Sequence, residues 1–308
     1  MRTFAWILLP LSFAQLACAE ESTSQPGSPP DAAGATTQPT PVGTYEGPAL
    51  LKKLQADEVK PLVESIPGGQ IDWTQGEVRA IGTGKLAGKQ SKDFLMAQRA
   101  ARILAIRNAV LMMSGIRAGP GGRFSVAEGQ INVEAVVKDF KETSSDYDPK
   151  TETVTSTVAV PIYGVKGIVH LTGATVERPG KRWVWPAPRA EAPKCEMVVI
   201  DARGGAFQPC MFPQIVTEGG ETIFHAVDVR AERLAGRGMV VYASAEAKAA
   251  LPDPAGVLTL KAKVTGEKTS VSLVLEKESL ERLTACPEAR RTIVSGKVLI
   301  LVAPPAQK

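Results

Sequence analysis

Apolar and polar residues alternate along this chain with a period that changes several times, and the changes predict its elements. From residue 50 the apolar positions Leu50, Leu51, Leu54, Leu62 and Val63 follow a helical spacing around Pro61, closed by the turn Ile66-Pro67-Gly68-Gly69. Residues 71–82 have strand character, after which Gly82, Gly84 and Gly88 open a loop. Residues 91–114 carry the strongest helical pattern. Ser91 suits the N-cap, Asp93 complements the positive helix end, and Gly115 with Gly119-Pro120-Gly121-Gly122 stops it. The predicted inward face is Ala97, Ala101, Leu104, Ala105, Asn108 and Met112, mostly small residues that let a helix lie close on a sheet. Two alternating strands at 133–141 and 154–163 follow, joined as a hairpin across the polar run 143–151.

In the last third, β-branched or alternating apolar runs predict strands at 195–201, 222–227, 239–243, 257–264, 270–275 and 297–302. Short helices fit 245–251 and 277–285. The fold class is therefore α+β: an N-terminal β-α-β-β unit with a leading helix and a long helix packed on the sheet, followed by a second mixed α+β domain. The expected plan is a signal segment at 1–19, a Pro/Ser/Thr/Ala-rich disordered tether at 20–47, the first domain at 48–174, a Pro-rich linker at 175–194, the second domain at 195–303 and a tail at 304–308.

The signal reading rests on Arg2, an apolar stretch from Phe4 to Leu16 broken by Pro10, and small residues at Ala17 and Ala19. Such a run is shorter than the ~20 residues a membrane-spanning helix needs. Two outcomes compete at its end. Ala17-Cys18-Ala19 fits ordinary cleavage before Glu20, whereas lipidation at Cys18 would tether the protein to a membrane. Export to the periplasm or medium, with outer-membrane anchoring as the variant, is the expected localisation.

The net charge of +4 is spread along the chain and forms no basic field suited to nucleic acid. Beyond Cys18 the cysteines are Cys195, Cys210 and Cys286. In an oxidising compartment two of the three would pair. The competing reading is three buried thiols behaving as small hydrophobes. No C-x-x-C occurs, and the two histidines, His170 and His225, are each expected within a strand, so no metal site or cofactor is predicted.

No catalytic motif emerges. Gly82-Thr83-Gly84-Lys85-Leu86-Ala87-Gly88-Lys89-Gln90 lacks phosphate-loop spacing and has Gln90 where a magnesium-holding hydroxyl is needed. Asp201-Ala202-Arg203-Gly204-Gly205 follows a strand end, where Asp201 and Arg203 would either grip a small ligand or bond backbone and fix the turn. Trp183 and Trp185 flank Val184, which puts both indoles on one side of an extended segment beside Lys181, Arg182 and Arg189. They are read as a partner-docking patch or as the cover of a domain edge. Asn108 is expected as a buried amide bonding the following loop, and Glu77 with Arg79 as the solvated face of a strand.

Two stretches carry a family resemblance. Gly69-x-x-Asp72-Trp73-Thr74-Gln75-Gly76-x-x-x-Ala80-x-Gly82, with Ala97-Gln98-x-Ala100-Ala101-x-x-x-Ala105-x-x-Asn108, resembles the β-α-β-β unit of the small Lpp-twenty-type lipoproteins and of the flagellar T-ring assembly protein. Val198-Val199-Ile200-Asp201-Ala202-Arg203-Gly204, with Pro209 and Gly219-Gly220-Glu221-x-x-Phe224, is similar to the domain that follows this unit in longer exported relatives. The resemblance covers roughly residues 66–302. It implies a non-enzymatic surface or assembly component of the envelope. The expected partner is an envelope protein of unknown identity or a second copy of the chain, with membrane contact only through lipidation at Cys18.

Overall fold

The computed structural model describes residues 47–54, 58–120, 140–164, 166–171, 176–187, 194–249, 251, 254–266 and 272–305, and every structural statement refers to these. The signal segment with Cys18, the tether up to residue 46, all of the expected strand 133–141 except Phe140 and Lys141, and Arg189 lie outside them.

The architecture is mixed α+β around two sheets. A five-stranded antiparallel sheet has the order β2-β3-β4-β6-β5, from β2 (Val63–Ile66), β3 (Gly69–Asp72), β4 (Glu77–Lys85), β5 (Lys141–Asp148) and β6 (Thr153–Pro161). The helix α2 (Ser91–Ser114) lies on it. Helical spacing around Pro61 does not continue past α1 (Gly47–Leu54): Leu62 and Val63 belong to extended chain, and Ile66 to Gly69 is the hairpin between β2 and β3. Gly68 takes the left-handed φ of +88° that this turn demands. The expected strand 71–82 is in fact β3 and β4 separated by a turn at 73–76, so the unit has three strands before its helix.

The expected loop at Gly82 and Gly84 is corrected as well. Both are inside β4, and the reason is the helix above them. A Cβ on Gly82 would sit 2.2 Å from the Ala101 carbonyl oxygen and the Ala105 nitrogen, and one on Gly84 would sit 2.0 Å from the Ala97 carbonyl oxygen. Glycine here removes side chains from the strand so that an alanine-faced helix can touch it. The N-cap of α2 is Gln90 rather than Ser91, with its N–H donating to the Asp93 carboxylate at 3.0 Å. The polar run 143–151, expected as a connection, is mostly β5 itself. It is an edge strand exposed on both faces, so it carries none of the apolar alternation that marks half-buried strands.

The second sheet has eight strands in the order β1-β10-β13-β7-β11-β12-β8-β9. Its centre is parallel: β10 (Val241–Ser244), β13 (Val298–Val302), β7 (Met197–Asp201) and β11 (Val257–Thr265). Burial on both faces explains the unbroken aliphatic runs of β7 and β13. Residues Met197, Val199, Leu299 and Leu301 face Leu50 and Leu54 of α1, while Val198, Ile200, Val298 and Ile300 join the main apolar cluster. β12 (Ser272–Leu275), β8 (Ile215–Val216) and β9 (Thr222–Phe224) extend one side. At the other edge β1 (Lys60–Pro61) pairs antiparallel with β10, so a segment preceding the five-stranded sheet completes the eight-stranded one. The main cluster takes residues from both sheets, among them Trp73, Val78 and Val160 with Phe212, Tyr242 and Ile300.

Short helices complete the body: α3 (Ile168–Leu171), α4 (Ala231–Arg237), α5 (Lys277–Ala285) and α6 (Glu288–Val294). Over 245–249 the predicted helix 245–251 is instead a turn, where the Glu246 and Ala249 carbonyls accept from Arg203, and Pro252 follows in the sequence. His170 is in α3 and His225 caps a 3-10 turn (Ala226–Asp228), so neither sits in a strand. Among the described residues no helix is long and apolar enough to cross a membrane.

Candidate functional site

The motif Asp72-Trp73-Thr74-Gln75-Gly76 forms the β3–β4 turn, and its chemistry is structural. Asp72 Oδ1 accepts from the Gln75 N–H at 2.8 Å, and Gly76 supplies a φ of +65°. Thr74 is buried. Its hydroxyl accepts from the Leu62 N–H (2.7 Å) and donates to the Tyr242 carbonyl (2.5 Å), linking the turn to β10 of the other sheet. Trp73 packs edge-on to Tyr242 at 5.8 Å and donates from Nε1 to Glu64 at 3.0 Å.

Arg117, just beyond α2, lies over the Trp73 ring at 5.7 Å, pairs with Glu64 and donates to the Pro209 carbonyl at 2.8 Å. The Tyr242 hydroxyl donates to the Cys210 carbonyl at 2.7 Å. Burial alone would raise the Glu64 carboxyl, but its bonds to Arg117 and Trp73 outweigh that and hold it below the ordinary glutamate value. Sequence reasoning picked out Trp73 and Gly76 but missed Glu64, Arg117 and Tyr242. These partners lie too far apart along the chain for any local signal to connect them.

Asp201 and Arg203 close a bidentate pair, with Nε to Oδ1 and Nη2 to Oδ2 both at 2.8 Å. Arg203 Nη1 donates to the carbonyls of Glu246 (2.7 Å) and Ala249 (2.9 Å), and the Arg203 backbone N–H adds a bond to Asp201. Four of the five guanidinium N–H groups are thereby committed within the fold. Burial works against ionisation of Asp201, and the Arg203 bonds overcome it to keep the carboxyl below its usual range. The arrangement staples the 246–249 turn to the end of β7 and leaves little for a ligand to bind.

Trp183 and Trp185 contact each other edge-on at 4.8 Å and pack, half-buried, against the main cluster, with Val184 exposed between them. Their segment lies along β9: Trp183 N–H donates to the Thr222 carbonyl (3.0 Å) and Thr222 N–H to the Lys181 carbonyl (2.8 Å). It covers an edge that would otherwise expose unpaired backbone. Cys195, Cys210 and Cys286 are all buried. His225 is buried, its Nδ1 accepting from the Val227 N–H, and burial moves its pKa down, as the nearby Arg182 charge also does. Asn108 is half-buried, and its amide donates to the Ile81 carbonyl of β4 at 2.7 Å rather than to the following loop. Arg79 bonds Glu77 at 2.9 Å on the open side of the same strand. Among the described residues no group of three or more histidine, cysteine, aspartate or glutamate side chains could hold a metal ion.

What stays open is the outer face of α2. The buried face is Ala97, Ala101, Ala105, Ala109, Met112 and Met113. Leu104, expected inside, is 38 % exposed, because the close glycine–alanine contact leaves no room for a larger side chain. The large apolar residues point outward: Leu95, Met96, Ile103 and Leu111 are each 59–63 % exposed. Interleaved with them are the exposed cations Lys92, Arg99, Arg102 and Arg107, against a single acidic residue, Asp93, on the whole helix. At the helix start a cleft of about 560 Å³ runs between Leu95, Met96, Arg99 and Arg102 on one side and Glu142 of β5 on the other. Arg102 reaches Glu142 at 3.8 Å. A face spanning residues 92–111 that mixes arginine with aliphatic and Met side chains is richer in large apolar groups than a solvated helix surface.

No curated protein matches the chain. The family described as Treponema pallidum Tp0624, second domain, matches residues 197–304, so the part of this chain that begins at β7 and carries the Val198–Gly204 and Gly219–Phe224 motifs is similar to that bacterial domain.

Proposed function

We propose that this chain is a non-catalytic component of the bacterial envelope that binds a protein partner through the outer face of α2. The observation that carries the reading is the row Leu95, Met96, Ile103 and Leu111, exposed on a helix whose opposite face is locked onto β4. Burying such side chains contributes on the order of 1–2 kcal/mol each. The partner is a segment combining acidic and apolar residues, since the face is cationic. A second copy offering the same face would meet it with like charge. Export through residues 1–19, with or without lipid at Cys18, would set this binding in the envelope. The finer kinship to Lpp-twenty-type lipoproteins and the flagellar T-ring assembly protein belongs to the same proposal and rests on the Gly69–Gly82 and Ala97–Asn108 motifs.

The test is photocrosslinking in the host with benzoylphenylalanine at position 96 or 103 and, as a control, at Val184, which is more exposed than either. The proposal expects a product specific to 96 and 103 whose mapped partner peptide is acidic and apolar, and which disappears when Arg99 and Arg102 are changed to Glu. Equal crosslinking at 184, insensitivity to the charge reversal, or co-sedimentation of the purified protein with phosphatidylglycerol vesicles in place of a protein product would overturn it. Intact mass of the mature protein separates cleavage after Ala19 from lipidation at Cys18.

A further inference from the structure

Cys195 and Cys286 meet at one place in the fold. Cys195 lies two residues before β7, one of the two middle strands of the eight-stranded sheet, and Cys286 is the C-cap of α5, two residues before α6 begins. Their thiols are in side-chain hydrogen-bonding contact. Both backbones are already held. The Cys195 carbonyl accepts from the Thr292 hydroxyl of α6 at 2.5 Å, and Cys286 donates to the Leu283 carbonyl and accepts from the Ala289 N–H at 3.0 Å. A cleft of about 310 Å³ is lined by both cysteines together with Lys194, Leu258 and Arg282, and the two cysteine residues are only 8 % and 6 % exposed. Cys210 occupies a different environment, enclosed at the joint against Gly119 and the Tyr242 hydroxyl.

We infer that Cys195 and Cys286 are a disulfide-forming pair, oxidised through the cleft by a small disulfide or by the active-site disulfide of a thiol oxidoreductase, with Cys210 left as a buried thiol. In the exchange one protein sulfur attacks the incoming disulfide RSSR and expels RSH as a mixed disulfide forms. The second protein sulfur then displaces the other RSH, so two protein thiols and RSSR give one protein disulfide and two RSH. Lys194 and Arg282 supply positive charge at the mouth, which favours the approach of an anionic disulfide such as oxidised glutathione. Burial, and next the neighbouring Cys286, push the Cys195 thiol up to about 12, which makes it a poor nucleophile at neutral pH. The pair therefore suits a lasting crosslink rather than repeated exchange. The bond would close a loop on the order of 90 residues, where constraint of the unfolded chain has a large effect.

The experiment equilibrates the purified full chain in oxidised and in reduced glutathione, blocks thiols with N-ethylmaleimide in acid-quenched denaturant, and maps peptides without reduction. The expected result is a 195–286 linked peptide in oxidised buffer only, with Cys210 alkylated in both and a Tm about 5–10 °C higher for the oxidised form. Cys195→Ala and Cys286→Ala should each abolish that Tm difference, and Cys210→Ala should keep it. The inference is overturned if Cys195 and Cys286 are both recovered alkylated after oxidation, if either carries only glutathione, or if Cys210 is found in the linked peptide. Mapping on the unmutated chain decides the pairing even where a variant does not fold.

Discussion

The two faces of α2 divide the usual labour of an amphipathic helix in reverse. Inside, alanines meet glycines at backbone contact distance, and the interface gains from closeness rather than from apolar bulk. Outside, leucine, isoleucine and methionine stand in solvent among arginines. A helix made only to stabilise its own domain would need no large apolar side chains on its outer face. Steric fit at β4 accounts for the inner set. Among the described residues nothing accounts for the outer one, which is why the outer face is the place to look for a partner.

The contrast breaks most sharply on bulk. Gly84→Val forces side-chain atoms into the Ala97 carbonyl and should cost about 3 kcal/mol or more, or prevent folding, whereas Ala100→Leu on the open side should leave Tm nearly unchanged. Thermal unfolding of the two variants side by side reads the difference directly. Next in size is Arg203→Lys. It removes the bidentate contact and at least one carbonyl bond, with an expected loss of about 2–3 kcal/mol in urea titration. Unchanged stability would return the turn to candidacy as a ligand site.

At the joint, Thr74→Val leaves the Leu62 N–H and Tyr242 carbonyl without their shared partner and should cost about 2 kcal/mol.

Glu64 gives a smaller, pH-dependent effect. Its folded-state pKa is depressed, so it contributes stability above the unfolded value of about 4.3 and loses it as pH falls through the lowered folded value. The stability gap between the wild type and Glu64→Gln, about 1–2 kcal/mol at neutral pH, should therefore close on acidification below about pH 4. Smallest of all, Ile103→Ser should shift stability by less than about 0.5 kcal/mol while weakening the crosslink from position 96. A large destabilisation there would mean that the outer face is packed after all.

Elements whose burial pattern is local were legible in the sequence. The runs at β7 and β13, the helix at 277–285 and the extent of α2 could be read within a residue or two, because each presents a repeating apolar pattern of its own. The Trp183/Trp185 geometry followed from extended backbone alone. Illegible were features whose cause lies elsewhere in the chain. Gly82 and Gly84 look like loop residues until the helix above them is known. β5 looks like a connection because an edge strand in water needs no apolar face, and Arg117 has no local partner to reveal it. The thiol pair was equally hidden: three cysteines allow three pairings, and only the approach of the α5–α6 corner to the start of β7 separates one from the others.

The small strand β1 has a mechanical consequence. Tension applied to the chain ahead of residue 47 is delivered first to α1, whose Leu50 and Leu54 grip the outer side of β7, β10 and β13, and then to the two-residue pairing of Lys60 and Pro61 with Ser244 and Ala243. An antiparallel pair that short, pulled from its end, yields one bond at a time. Stretching would strip this clasp before the other seven strands of that sheet or the five-stranded sheet bore load, so α1 and β1 would give way together ahead of the rest of the fold.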